Sequence, residues 1–251
     1  MRLPSLRSPS SRDARVSAPP APLAGALHAL VVTLLLSAPG TAPGAAPHAA
    51  PVERDTTWYV AEMLGRPVGS LRQVVSALGD SVESRLFLRL SVLRSGEPVT
   101  VERDEVWIER NGEPVSVRAR SRLSGDEIAT SAVVSGDSAV IVSSSGDGSS
   151  ARRVLPLPPD LVFTQEARSV HARGPRDVGE SYAYSVFDLD LEGFDRLTFT
   201  VEGDDELDVP GAPPVLTRLL VRSEQYGDLA IREWRDGGGR LWRHEIESLG
   251  L

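Results

Sequence analysis

The 251-residue chain contains no cysteine. Disulfides, thiolate metal sites and cysteine nucleophiles are thereby excluded. Lysine is absent too, since all 27 basic residues are arginine. That removes Schiff-base chemistry, the lysine of phosphate-binding loops and Ser-x-x-Lys catalysis. Histidine is scarce. Only His171 and His244 lie beyond residue 50, and neither has a second ligand at metal spacing such as His-x-x-x-His. No Gly-x-Ser-x-Gly elbow occurs. No catalytic residue, cofactor or metal is therefore assigned. The remaining composition, 41% hydrophobic and 25% charged, is that of a globular chain.

Nine of the 19 prolines fall within the first 51 residues, together with Arg2, Arg7, Arg12 and Arg15 and a single acid, Asp13. An apolar run, Leu23 to Leu36, follows, and then a small-residue stretch to Pro51. A basic start, a short apolar run and small residues describe a secretory signal peptide, with cleavage expected after Gly40 or Gly44. The run is shorter than the about 18 apolar residues needed to span a bilayer, which disfavours the alternative of an inner-membrane anchor at residues 23–38. The expectation is an exported protein, periplasmic or extracellular, with residues 1–50 as leader and residues 51–251 as one domain. Without the leader 23 basic and 34 acidic residues would remain, a formal charge of −11. An acidic surface repels phosphate backbones, so nucleic acid is not expected as a partner.

Beyond Thr56, strand-like runs alternate with turn signals at Gly65-Arg66-Pro67, Gly79-Asp80, Ser95-Gly96, Asn111-Gly112, Ser124-Gly125-Asp126, Ser135-Gly136-Asp137 and Gly146-Asp147-Gly148. Spacings this short suit hairpin-linked strands rather than helical crossovers. Val115 to Leu123 alternates small or apolar with polar residues, and Leu86, Leu88, Leu90 and Val92 repeat the pattern one hairpin earlier. Between Val101 and Ile108 the apolar phase slips, which predicts a bulge. Further strands are expected at residues 181–187, 196–202, 215–222, 229–234 and 241–247, eleven or twelve in all. One amphipathic helix is expected from Asp160 to Arg173. Phe163, Ala167 and Val170 form its apolar face, Asp160 its N-cap, and Gly174-Pro175 its stop. The fold class is mainly β, a long antiparallel meander with one helix packed against it.

Four groups of residues invite functional readings. Asp188, Asp190 and Glu192 before Gly193 imitate the start of a calcium loop, but the twelfth position, which should be a glutamate, is Phe199. A strand with an acidic outer face explains the same residues. Asp204, Asp205, Glu206 and Asp208 offer paired carboxylates, the requirement of an alternative carboxylate-dependent hydrolase, although neighbours on a turn are normally solvated. Arg118, Arg120 and Arg122 share one strand face and form a candidate docking stripe for an acidic partner or a lipid headgroup, although an ordinary solvated sheet face explains them too. Trp234 and Trp242 flank the last hairpin and are placed to meet across it.

Trp58-Tyr59 with Gly65-Arg66-Pro67-Val68-Gly69 resembles the start of a β-rich domain that accompanies transglutaminase-like catalytic domains in exported bacterial proteins. Glu105-Val106-Trp107-Ile108, Asn111-Gly112-Glu113-Pro114 and Val178-Gly179-Glu180-Ser181-Tyr182 are similar as well. So is the ending, with Trp234, Asp236, Gly239-Arg240-Leu241, Arg243, Glu245 and Leu249-Gly250-Leu251. The resemblance implies an open, lipoprotein-carrier-like half-barrel wrapped around a helix. It does not carry catalysis over, because transglutaminase-like domains use a Cys-His-Asp arrangement and cysteine is absent here.

The expected function is that of an exported, non-enzymatic accessory or binding domain. It would dock a partner, such as a transglutaminase-like or other envelope protein, or hold a lipid or other apolar ligand in the concave face of the sheet. Leu86, Leu88, Leu90, Trp107, Trp234 and Trp242 are the candidate ligand-binding residues. A self-assembling envelope structural protein is the remaining alternative.

Overall fold

The computed structural model describes residues 33–36, 54–94, 97–123, 125–209, 211–227 and 229–246. Nine strands come first: β1 (Thr33–Leu36), β2 (Arg54–Met63), β3 (Arg66–Leu78), β4 (Ser81–Arg94), β5 (Glu97–Arg110), β6 (Glu113–Leu123), β7 (Asp126–Ser135), β8 (Ser138–Ser145) and β9 (Ser150–Pro156). Helix α1 (Thr164–Arg173) follows. Five strands complete the chain: β10 (Ser181–Asp188), β11 (Gly193–Asp205), β12 (Leu216–Ser223), β13 (Ile231–Arg235) and β14 (Leu241–Ile246). The meander is split into two sheets, β1 to β9 and β10 to β14, each in strict sequence order. Among the described residues neither sheet closes on itself, so the arrangement is open. Of residues 1–50, the expected leader, only Thr33–Leu36 is among the described residues, and it pairs antiparallel with β2. The expected cleavage sites and the Ser95-Gly96 turn lie outside them.

The turn chemistry explains the hairpins. At the β5–β6 turn Asn111 (φ 52°) and Gly112 (φ 82°) both adopt the left-handed conformation that a two-residue hairpin turn requires. Alternation then decides which face is buried. In β6, Val117 and Ala119 are buried while Arg118 and Arg120 are exposed.

The expected bulge in β5 is displaced. Pairing with β4 is regular from Ser81↔Arg110 to Arg94↔Glu97, and the shift falls at Ile108/Glu109 against β6. The apolar phase slips because polar residues occupy inward positions. Arg103 and Glu105 face inward as an ion pair, and Arg103 also bonds both carboxylate oxygens of Asp190 at 2.9 Å. Glu109 is the third inward polar residue and is essentially fully buried.

Glu109 explains where the helix begins. Asp160 does not cap it. Asp160 instead accepts a hydrogen bond from Ser185 and pairs with Arg196. The helix starts four residues later, after Phe163, with no side-chain cap of its own. Its first turn is capped from β5, where the Glu109 carboxylate accepts the backbone N–H groups of Gln165 and Glu166 at 2.9 Å each and the Thr164 hydroxyl. These N–H groups have no intrahelical acceptor, and the positive end of the helix dipole favours a carboxylate there. Burial raises the Glu109 pKa, and the N–H bonds oppose the rise. Glu109→Ala would leave three part-buried donors without this acceptor. It is expected to lower the unfolding free energy by about 3 kcal/mol, read from urea denaturation, whereas Glu109→Gln, which keeps one acceptor oxygen, is expected to cost about half of that.

Helix α1 lies between the sheets. Ala167 and Val170 pack against Tyr184, Phe199, Val201, Leu219 and Val221 of the five-stranded sheet. A second cluster joins Trp107, Val117, Ala132 and Ile141 of the long sheet to Phe163 and Phe187. A third joins Tyr59, Ala61 and Leu90 to Leu216, Trp234 and Trp242.

Candidate functional site

Between the inner face of the long sheet, the N-terminal half of α1 and the β13–β14 hairpin lies a cleft of about 290 Å³. Its apolar wall is Leu71, Val75, Leu86, Trp107, Phe163 and Val186. Trp107 is fixed edge-on against Phe163, with ring centroids 5.0 Å apart, and donates its indole N–H to Glu105 at 2.8 Å. The opposite wall is cationic, formed by Arg168 of α1, Arg235 of β13 and Arg240 of the hairpin turn. Thr57, Gln73 and Gln165 supply uncharged polar groups, and Asp55 is the acid on the lining.

Local sequence holds the cationic wall. The Asp236 carboxylate accepts N–H bonds from Gly238, Arg240 and the Trp242 indole, which closes the Gly237-Gly238-Gly239 turn. Gly239 has φ +74°, and a Cβ there would sit 2.1 Å from the Arg168 carbonyl oxygen. Only glycine allows turn and helix to touch backbone to backbone. Arg168 returns a hydrogen bond from Nε to the Gly238 carbonyl at 3.2 Å.

The three arginines differ in how they are satisfied. Arg235 is neutralised by Glu233 at 2.8 Å and also bonds the Gly239 carbonyl. Arg240 stacks over Trp242 at 5.1 Å and donates to the Thr57 hydroxyl at 3.1 Å. Its Nε is buried with no acceptor among the described residues. Neither Arg168 nor Arg240 has a carboxylate partner among those residues.

Behind this wall sits a polar network. The His171 ring nitrogens bond the Tyr182 hydroxyl at 2.6 Å and the Tyr184 hydroxyl at 2.8 Å. Burial, with Arg235 and Arg176 nearby, pushes the His171 pKa down to about 3, so the ring is neutral. One tyrosine hydroxyl therefore donates to it and the other accepts from it. Burial would raise the Glu233 carboxyl pKa, but Arg235 and His244 outweigh it and hold it well below the usual carboxylate range.

Of the candidate ligand-binding residues, Leu86 and Trp107 line the cleft. Leu88 packs against the neighbouring core cluster, in which Leu90, Trp234 and Trp242 are buried. Trp234 and Trp242 share that cluster but do not stand in register across the hairpin. Trp234 pairs with Arg243, and the register shifts between Trp234 and Arg235. Arg118 and Arg120 line a shallow groove of about 440 Å³ on the outer face of the long sheet. Arg120 and Arg122 both pair with Glu127, while Arg118 has no ion pair among the described residues. Asp188 accepts the N–H groups of Asp190 and Leu191 and the Tyr226 hydroxyl, and Asp190 holds Arg103. Glu192 stands apart from these bonds, at φ 48°. Asp205 is engaged by Arg218 and the Trp234 indole. Among the described residues no group of three His, Asp or Glu could hold a metal ion, and no helix is long and apolar enough to cross a membrane.

No family model and no curated protein matches the chain. Among solved structures it is similar to a β-barrel-like protein of the domain of unknown function DUF1849 from Brucella abortus. Identity is 12%, the TM-score is 0.51, and the match covers 77% of this chain and 94% of the other. At that identity the likeness concerns the fold. It supports the barrel-like, β-rich domain that the sequence resemblance implied, and it does not extend to an association with transglutaminase-like enzymes.

Proposed function

We infer that this chain is an exported, non-enzymatic binding domain that holds an apolar ligand on the concave face of its long sheet. The observation that carries this reading is the cleft beside α1. The helix does not fill the sheet there, and Leu71, Val75, Leu86 and Trp107 remain as an apolar lining. A concave, mostly apolar pocket with a few convergent polar groups is the ordinary form of a small-ligand site. The resemblance to domains that accompany transglutaminase-like enzymes supports an accessory role in the envelope.

Titration of the full chain with the neutral fluorophore N-phenyl-1-naphthylamine tests the reading. Saturable one-to-one binding is expected, weakened by about tenfold or more in Leu86→Arg, which corresponds to about 1.4 kcal/mol. If that variant does not unfold cooperatively, Val75→Asp replaces it. No binding to the parent protein, or undiminished binding in a folded variant, would overturn the assignment.

A further inference from the structure

The cleft has one feature that an apolar ligand alone does not explain. Arg168 and Arg240 face it without a carboxylate partner among the described residues, and the Arg240 Nε is buried without an acceptor. A buried guanidinium N–H left unbonded is costly. Arg103, Arg218 and Arg243 also have a buried Nε without a hydrogen bond, but each has a carboxylate within ion-pair distance, which Arg240 lacks among the described residues. The neighbouring arginine shows the contrast, since Arg235 on the same wall is satisfied by Glu233 and the Gly239 carbonyl. The cationic wall is also held in place. Asp236 closes the turn that carries Arg240, the Arg240 guanidinium lies over Trp242, and Arg168 is tied to the same turn through Gly238. Side chains fixed in this way lose little freedom on meeting an anion.

The geometry points to a ligand that is an anionic-headed amphiphile. Its carboxylate or phosphate head meets Arg240 and Arg168, and its apolar tail lies along Leu71, Val75, Leu86 and Trp107. Arginine presents donors in a planar fork that fits either head group. At about 290 Å³ the cleft has room for a single chain. This assignment rests on the apolar-ligand reading above and adds the head group to it.

Three twelve-carbon probes of matched tail separate the two claims when titrated below their micelle concentrations into the full chain, with Trp fluorescence as readout. They are dodecanoate, dodecyl phosphate and neutral dodecanol. Both anions are expected to bind about tenfold or more tighter than dodecanol, and the tighter of them names the head group. Arg240→Met, which keeps the stem over Trp242, is expected to abolish the preference. Arg168→Gln should reduce the preference and serves if Arg240→Met does not fold. Equal affinity for all three probes, or a preference that survives in both folded arginine variants, would overturn the anionic-head assignment and leave the apolar cleft standing. Failure of every probe to bind the parent protein would remove both.

Discussion

Gly239→Ala is expected to lower the melting temperature by about 10 °C or more, the consequence of losing about 4 kcal/mol in a domain of this size. Two effects add. The residue sits at φ +74°, where a Cβ-bearing residue pays about 1–2 kcal/mol in backbone strain. The new methyl would also lie 2.1 Å from the Arg168 carbonyl oxygen and 3.0 Å from the Ala172 nitrogen, both backbone atoms of α1 that no rotamer change can move aside. Helix and hairpin would have to separate. Two glycines calibrate the result. Gly237, two residues earlier in the same turn, has open space around its Cβ position and no positive φ, so Gly237→Ala is expected to shift stability by less than about 0.5 kcal/mol. Gly65 has φ +71° but open space, so Gly65→Ala isolates the strain at about 1 kcal/mol. Urea denaturation should show the largest loss for Gly239→Ala, a smaller one for Gly65→Ala and the smallest for Gly237→Ala. A Gly239→Ala protein as stable as Gly65→Ala would mean that the turn does not rest on the helix. Because Arg168 and Arg240 flank this contact, the same substitution should also weaken any ligand held by the cationic wall.

The strands after the helix are legible to within about three residues at each end, because period-2 alternation and glycine-containing turns are local properties. The five expected at residues 181–247 appear with boundaries shifted by at most a few residues. What the sequence obscured depends on distant partners. The helix could not be started correctly from its own residues, since its capping carboxylate, Glu109, stands 55 residues before Thr164. An acid near the end of a strand reads as an exposed position until the fold brings α1 to it. The phase slip in β5 misled in the same way, because Arg103 becomes an acceptable inward residue only when Glu105 and Asp190 surround it. In the cleft, Leu86 and Trp107 were found from alternation and aromatic content. Arg168 and Arg240 were not, because nothing local distinguishes a guanidinium that lines a cavity from one in solvent. The available clue is the Asp236-Gly237-Gly238-Gly239-Arg240 turn between the last two strands. Its glycines exceed what a hairpin turn needs, and Gly239 is accounted for by backbone contact with the helix.

Mild acid is expected to destabilise the protein through His171. Burial first, then the nearby Arg235 and Arg176, depress its pKa in the folded state to about 3 from 6.5, with Glu233 opposing. The ring is enclosed by Tyr182 and Tyr184, which bond its two nitrogens, and by Phe199, edge-on at 4.7 Å. Protonation would remove the acceptor that one tyrosine hydroxyl uses and place a charge in an apolar, partly cationic setting. Below about pH 6.5 the unfolded chain therefore takes up a proton that the native state refuses. Stability is fully present above that pH and falls by about 1.4 kcal/mol per unit as the pH drops toward the folded value. Between pH 6.5 and 5 the loss should reach about 2 kcal/mol, read from urea midpoints at constant m-value. Glu233 adds a loss of the same sign at lower pH. Its folded pKa lies below that of the unfolded chain, so its contribution is present above about pH 4.5 and fades beneath it. Glu109 works in the opposite direction, because its raised pKa lets the native state bind a proton before the unfolded chain does. His171→Gln separates these terms. It should lower stability at neutral pH and flatten the profile between pH 6.5 and 5, leaving the steeper fall below pH 4.5 intact. A parent profile already flat between pH 6.5 and 5 would show that the imidazole is protonated in the native state, and that the two tyrosine hydroxyls accept from it rather than share its two roles.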